Sequence, residues 1–84
     1  MAKNILLVED DAAVRNAIRY LLSEYYDTIL DAGSGEDALQ VCEQYEESIH
    51  LLIVDIILPR MNGLQLAERL TSLYPEMQVL YMSA

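Results

Sequence analysis

Four short apolar runs, spaced evenly along the chain, constrain its fold more than any other feature of the sequence. They occupy residues 5–8, 28–30, 51–54 and 79–82. Runs of this length are typical of parallel strands that are covered on both faces. The strands begin about 24 residues apart, which suits a strand–helix–strand unit with short loops. The sequence therefore predicts an open parallel α/β sheet with a helix after each of the first three strands.

The segments between the apolar runs have the periodicity of amphipathic helices. The first predicted helix covers residues 12–25, with its apolar side chains in one stripe. Ser34 is the predicted N-cap of the second helix, with Asp37 at the capping-box position. Pro75 marks the end of the third helix. The stripe of the first helix contains Val14, Ile18, Leu21, Leu22 and Tyr25, and we expect it to be partly uncovered. The residues predicted to face inward are Ala38, Val41, Cys42 and Tyr45 in the second helix, and Leu66, Ala67, Leu70 and Leu73 in the third.

Charge and composition limit the classes of partner. Fourteen acidic residues against five basic ones give a net charge of −9. Direct binding to DNA or RNA requires a basic face that displaces counterions, so we do not expect it here. No apolar run approaches the roughly 20 residues that span a bilayer, so we expect no membrane segment. The single cysteine, Cys42, excludes an intramolecular disulfide and indicates a cytoplasmic location.

Acidic residues follow the first and third predicted strands. Glu9, Asp10 and Asp11 follow the first strand, and Asp55 follows the third. Ligands of open α/β sheets bind beyond the carboxyl ends of the strands, so these carboxylates converge if the two strands are neighbours. Mg²⁺ would relieve their mutual repulsion. We assign Asp11 to capping the first helix, and the remaining acids predict a Mg²⁺-assisted phosphoryl site with an aspartate nucleophile.

Three segments extend this pattern. They are Val8-Glu9-Asp10-Asp11, the Asp-x-x-x-Pro-x-x-Asn-Gly element of residues 55–63, and residues 80–84. In their order and spacing they resemble the receiver domain of two-component response regulators, over the whole chain. The resemblance implies that Asp55 is the phosphoacceptor for the phosphohistidine of a sensor histidine kinase. The implied ligands of Mg²⁺ are Glu9, Asp10, Asp55 and the backbone carbonyl of Ile57. Ser83 would contact the phosphoryl group, and Ala84 would leave access beside it.

The chain departs from that family after the fourth strand. Receiver domains have five strands and five helices, so residues 1–84 are predicted to form an incomplete receiver domain. This is a partial flavodoxin-like, doubly wound parallel sheet that lacks the final helix-strand-helix and its phosphate-binding lysine. Lys3 cannot replace that lysine, because it precedes the first strand. We therefore expect impaired phosphorylation and signalling, and a homo-oligomer formed through the fourth-strand edge and the first helix. An output domain in the parent protein is a further implied partner.

Two alternatives remain open at this point. The chain could be an engineered or structural half-domain that self-associates without phosphorylation. It could instead be a Mg²⁺-dependent phosphohydrolase similar to haloacid dehalogenases, with its aspartate nucleophile after the first strand. Glu9 in that nucleophile position argues against the hydrolase, and we do not expect the chain to be an enzyme. Replacing Asp55 separates these hypotheses, because only the receiver hypothesis places the phosphoryl group there.

Overall fold

The computed structural model describes residues 3–83, which form a four-stranded parallel sheet with three helices. The elements in chain order are β1 (Asn4–Val8), α1 (Ala12–Leu22), β2 (Thr28–Ala32), α2 (Gly35–Gln44), β3 (Leu51–Asp55), α3 (Gly63–Leu73) and β4 (Gln78–Met82). The strand order is β2-β1-β3-β4, and every neighbouring pair is parallel. The predicted α/β fold and its element order are therefore confirmed. Because β1 pairs with β3, the acids that follow these two strands lie at the same edge of the sheet.

The core lies on both faces of β1, because successive side chains of a strand point to opposite faces. Leu6 and Val8 are fully buried in the cluster that packs against α2 and α3. Ile5 and Leu7 are fully buried in the smaller cluster beneath α1. The residues that follow β1 are therefore attached to the best-packed strand of the sheet.

The helices begin at side-chain caps, as the sequence predicts for the first two. Asp11 Oδ1 accepts hydrogen bonds from two N–H groups in the first turn of α1, at 2.9 and 3.2 Å. Ser34 Oγ accepts one from the Asp37 N–H at 3.1 Å. A reciprocal capping box occurs in α3, between Asn62 and Gln65. These caps satisfy donors that a helix N-terminus otherwise leaves unpaired.

Some apolar residues at helical spacing are exposed. Helix α1 ends at Leu22, so Tyr25 lies beyond it and is 72% exposed. Leu21 is 68% exposed, because α1 rests on the sheet only through neighbours such as Ile18. Leu73, the last residue of α3, is 64% exposed. The inward assignment of Leu73 was therefore wrong, and so was the extension of the first helix to Tyr25.

Strand β4 is the edge of the sheet on the side of β3. It pairs with β3 alone among the described residues. Leu80 and Tyr81 are about half exposed on it. An apolar edge strand of this kind offers unpaired backbone groups to another chain. None of the helices within residues 3–83 combines the length and apolarity needed to cross a membrane.

Candidate functional site

Three carboxylates meet at the carboxyl end of the sheet. In the β1–β3 register Val8 lies opposite Val54, so Glu9 and Asp55 come next to each other. Glu9, Asp10 and Asp55 each offer an oxygen atom, and these atoms lie within 4.8 Å of one another. The structure thus brings together the three acids that the sequence selected.

Glu9 is the most firmly held of the three. Its N–H donates to the Ala32 carbonyl at 3.1 Å, and its Oε2 accepts from the Asp11 N–H at 3.0 Å. Arg15 Nη1 donates to the Glu9 carbonyl at 2.7 Å. The side chain of Glu9 is buried, so both its backbone and its carboxylate have fixed positions.

Sequence reasoning missed Arg15. A half-buried guanidinium that binds a backbone carbonyl has no local sequence pattern, because the contact depends on how α1 sits against the end of β1. The only signal available was an arginine one turn after the predicted cap, Asp11. Arg15 is therefore a positioning residue for Glu9 that only the folded chain reveals.

The electrostatics of the cluster are dominated by burial of Glu9 and by its proximity to two other carboxylates. Burial raises the pKa of the Glu9 carboxyl, although the hydrogen bond from the Asp11 N–H partly offsets this. Contacts with Asp10 and Asp55 raise that pKa further. Like charges at this separation disfavour each other's ionised form. A cation among the three carboxylates would remove the conflict.

Asp55 is the last residue of β3 and is half-buried. Its Oδ1 accepts a hydrogen bond from the Ile57 N–H at 3.0 Å, which fixes the orientation of the carboxylate. The next residue, Ile56, donates its N–H to the Met82 carbonyl of β4 at 3.0 Å. The loop that follows β3 thus orients the Asp55 carboxylate and is itself tied to the end of β4.

Gly63 allows α3 to begin directly beside Asp55. Its N–H donates to the Ile56 carbonyl at 2.8 Å. A Cβ at this position would lie 2.2 Å from the Asp55 carbonyl oxygen, so no larger residue fits without moving the backbone. Upstream in the same loop, Arg60 has a positive φ of 66° and its Nε donates to Glu36 at 2.9 Å. The loop is therefore tied to α2 and passes close to the strand end.

Ser83 follows β4 and borders the same site. A cavity of about 300 Å³ is lined by Glu9, Val14, Asp55, Met82 and Ser83. It joins the buried glutamate, the candidate nucleophile and the candidate hydroxyl, with an apolar wall on one side. Ala84, which was expected to flank this cavity, lies outside the described residues.

The only lysine of the chain is far from this cavity. Lys3 precedes β1, and its backbone N–H donates to Asp27 Oδ2 at 2.9 Å. Its position before β1 places it at the amino ends of the strands, opposite the acids. It is therefore not available to the carboxylate cluster, as the sequence predicted.

The donor set fits magnesium. Carboxylate and carbonyl oxygens are hard ligands, and Mg²⁺ prefers a few of them together with water and a phosphate oxygen. Glu9, Asp10 and Asp55 supply such oxygens from neighbouring positions. With Ser83 nearby, the arrangement suits phosphoryl chemistry better than metal storage.

Comparison with known proteins agrees with the geometry. The response regulator receiver domain family matches residues 5–84. The response regulator receiver protein CpdR of Brucella abortus is 36% identical over 84 residues, covering 96% of this chain and 66% of CpdR. The transcriptional activator protein ExaE of Pseudomonas putida is 38% identical over 81 residues, covering 94% of this chain and 37% of ExaE.

A solved structure gives the same result for the fold. The signal receiver domain of an HD domain-containing protein from Pseudomonas fluorescens Pf-5 has a TM-score of 0.90 at 26% identity. The match covers 99% of this chain and 65% of that one. The chain thus spans less than two thirds of that structure and of ExaE, and 66% of CpdR.

Proposed function

Because the chain belongs to the response regulator receiver domain family, we propose that it accepts a phosphoryl group on Asp55 from the phosphohistidine of a sensor histidine kinase. Receiver domains act in general as phosphoacceptors in two-component signalling. The observation that carries the assignment is the position of the Asp55 carboxylate, within 4.8 Å of the Glu9 and Asp10 carboxylates at the end of the sheet. The activity is regulatory, since the phosphoryl group is a signal and not a turnover product.

The transfer forms one bond and breaks another. A carboxylate oxygen of Asp55 attacks the phosphorus atom, the bond from phosphorus to the histidine nitrogen breaks, and the electron pair leaves with the imidazole. The Ile57 N–H holds Oδ1 at 3.0 Å, so the nucleophile has a fixed orientation before the donor arrives. Catalysis of this kind is mostly positioning and charge stabilisation.

Magnesium would complete the site. Glu9, Asp10 and Asp55, with the backbone carbonyl of Ile57, would hold Mg²⁺, which supplies positive charge against the incoming phosphoryl oxygens. The hydrogen bonds to Glu9 hold one of these ligands in place in advance. Because the acids already lie together, little rearrangement of the chain is needed for binding.

Ser83 is the proposed reader of the phosphorylated state. Ser83 borders the cavity beside Asp55, and its hydroxyl would gain phosphoryl oxygens as acceptors when Asp55 is phosphorylated. A contact made in only one of two states can shift a conformational equilibrium towards that state. Ser83 thereby couples the chemistry at Asp55 to the end of β4.

We expect phosphorylation of the 84-residue chain to be slow and its signalling impaired. Lys3, the one lysine among these 84 residues, precedes β1 at the opposite end of the sheet, so it does not assist Asp55. We propose that the parent protein joins this module to an output domain, and ExaE, a relative described as a transcriptional activator, supports that proposal. A cytoplasmic location and the absence of direct nucleic-acid binding stay predictions from composition.

We also propose that the chain self-associates through the β4 edge and α1. Leu80 on β4 is 55% exposed, and Leu21 on α1 is 68% exposed. Pairing of two β4 edges would satisfy open backbone groups and cover apolar area. Analytical ultracentrifugation should detect a dimer that Leu80→Glu weakens. A folded monomer at micromolar to millimolar concentration would contradict the proposal.

Intact-mass measurement tests the proposed function. The chain is incubated with Mg²⁺ and acetyl phosphate, beside Asp55→Asn and the matched control Asp27→Asn at the other end of the sheet. One phosphoryl adduct in the wild type and in the control, absent from Asp55→Asn, would support the assignment. An adduct that survives Asp55→Asn would overturn it, and would reopen the phosphohydrolase alternative with a nucleophile after β1. No adduct in a folded chain would favour the half-domain alternative.

A further inference from the structure

Two adjoining cavities lie at the amino ends of β3 and β4, at the other end of the sheet from Asp55. Their volumes are about 320 and 500 Å³. Both are lined by Ser48, Ile49, Tyr74 and Met77, and we call them together the Tyr74 groove. The five residues of β3, at about 3.3 Å each, separate the groove from the acidic site.

The floor of the Tyr74 groove is apolar and open. Met77 is buried beneath it, whereas Tyr74 is 38% exposed and Leu73 is 64% exposed at its border. The Tyr74 hydroxyl donates to the Cys42 carbonyl at 3.4 Å, which holds the end of the ring against α2. Leu73 keeps the helical spacing of a core residue but contributes little to the core. Its exposed side chain instead borders the groove.

The rim of the groove is acidic. Its glutamates are Glu43, Glu46, Glu47 and Glu76. Neither cavity is lined by a lysine or an arginine. In the part of the chain that the structure describes, the two side-chain ion pairs use Asp31 and Glu36, so neither of them involves a rim glutamate. An apolar floor with a negative rim is complementary to a ligand that carries both apolar and basic side chains.

We propose that the Tyr74 groove binds a basic segment of a partner protein. Apolar side chains of that segment enter the cavities beside Leu73 and Tyr74, and its lysines or arginines lie along the glutamate rim. Cavities of this volume accommodate bulky side chains, and charges of opposite sign steer such a segment into register. The contact leaves Asp55 accessible, so the partner can bind whether or not Asp55 is phosphorylated. This inference is independent of the proposed phosphoryl chemistry.

The test uses a short labelled peptide with leucines on one helical face and lysines on the other. Its control has glutamate in place of each lysine. Fluorescence anisotropy should detect binding of the basic peptide alone, weakened by added salt. The groove variant is Leu73→Ser, whose exposed position leaves the core intact. A second variant combines Glu46→Gln with Glu47→Gln. Tyr20→Ala on α1 is the matched surface control.

We expect the dissociation constant to rise about tenfold in each groove variant, which is about 1.4 kcal/mol, and to stay unchanged in Tyr20→Ala. Chemical shifts in NMR spectra should change at Ile49, Tyr74 and Met77. Equal binding by the wild type and the groove variants would overturn the proposal. Shifts confined to Glu9, Asp10 and Asp55, or no binding of the basic peptide, would overturn it as well.

Discussion

Replacing Asp55 by asparagine should stabilise the chain when divalent cations are absent. The Asp55 carboxylate lies within 4.8 Å of both the Glu9 and the Asp10 carboxylates. Two unit charges at that distance repel by about 0.9 kcal/mol in water and by about 3.5 kcal/mol at an effective dielectric constant near 20. Because Asp10 is exposed and Asp55 is half-buried, solvent screens most of this repulsion. We therefore expect Asp55→Asn to raise the free energy of unfolding by about 1–2 kcal/mol.

Thermal and urea unfolding in EDTA measure this effect. A gain of 1 kcal/mol raises the Tm of a domain this small by about 4–8 °C. Asparagine keeps an Oδ1 acceptor for the Ile57 N–H, so the substitution changes charge with little change in hydrogen bonding. Asp27→Asn removes the same charge at the other end of the sheet. Comparing the two variants therefore separates the local repulsion at Asp55 from the general effect of reducing the net charge of −9.

Added Mg²⁺ should reverse the order of stability. Binding to the folded chain alone raises stability by mass action, and the wild type offers one more carboxylate ligand than Asp55→Asn. The wild type should therefore gain more than the variant as Mg²⁺ is added. The reasoning would be refuted if Asp55→Asn were no more stable than Asp27→Asn in EDTA. It would also be refuted if Mg²⁺ raised the stability of Asp55→Asn as much as that of the wild type.

Three further predictions concern the surroundings of the site and the core. Gly63→Ala should cost about 3 kcal/mol in urea unfolding, because its Cβ would meet a carbonyl oxygen at 2.2 Å. Gly35→Ala, which meets a flexible side chain, should cost less; equal costs would contradict this account. Arg15→Met should weaken Mg²⁺ binding about 10–100-fold in calorimetry by releasing Glu9, while the fold persists; unchanged affinity would contradict its positioning role.

Burial raises the pKa of the Cys42 thiol, so a thiol reagent should modify the native chain far more slowly than the urea-unfolded chain. Because the folded state favours the neutral thiol, Cys42 contributes to the free energy of unfolding, and this contribution is fully present below the ordinary thiol pKa. It is lost as pH rises towards the raised value. Equal modification rates in the native and unfolded states would show that Cys42 is accessible.

The sequence predicted the fold and the acid cluster because both depend on strand-level pattern. Uninterrupted apolar runs such as residues 51–54 identify strands that helices cover on both faces. Once β1 and β3 are neighbours, the positions of Glu9 and Asp55 at their ends follow from the chain alone. The convergence was therefore predictable, although the strand order itself had to be assumed.

Other features depend on tertiary contacts that no local pattern records. The Arg15 contact requires the placement of α1 against the end of β1. Leu73 has the spacing of a core residue but is exposed, because burial depends on what packs over the helix end. The need for glycine at position 63 arises from a backbone that lies eight residues upstream. Periodicity gives a side chain's direction on its helix but not what lies opposite.

The most direct test of the central claim is to locate the phosphoryl group itself. The chain is phosphorylated with Mg²⁺ and acetyl phosphate, treated with borohydride, which reduces an aspartyl phosphate to homoserine, and sequenced by tandem mass spectrometry. We predict conversion at Asp55 alone. Conversion at Glu9 or Asp10, or phosphate retained on another side chain, would contradict the account.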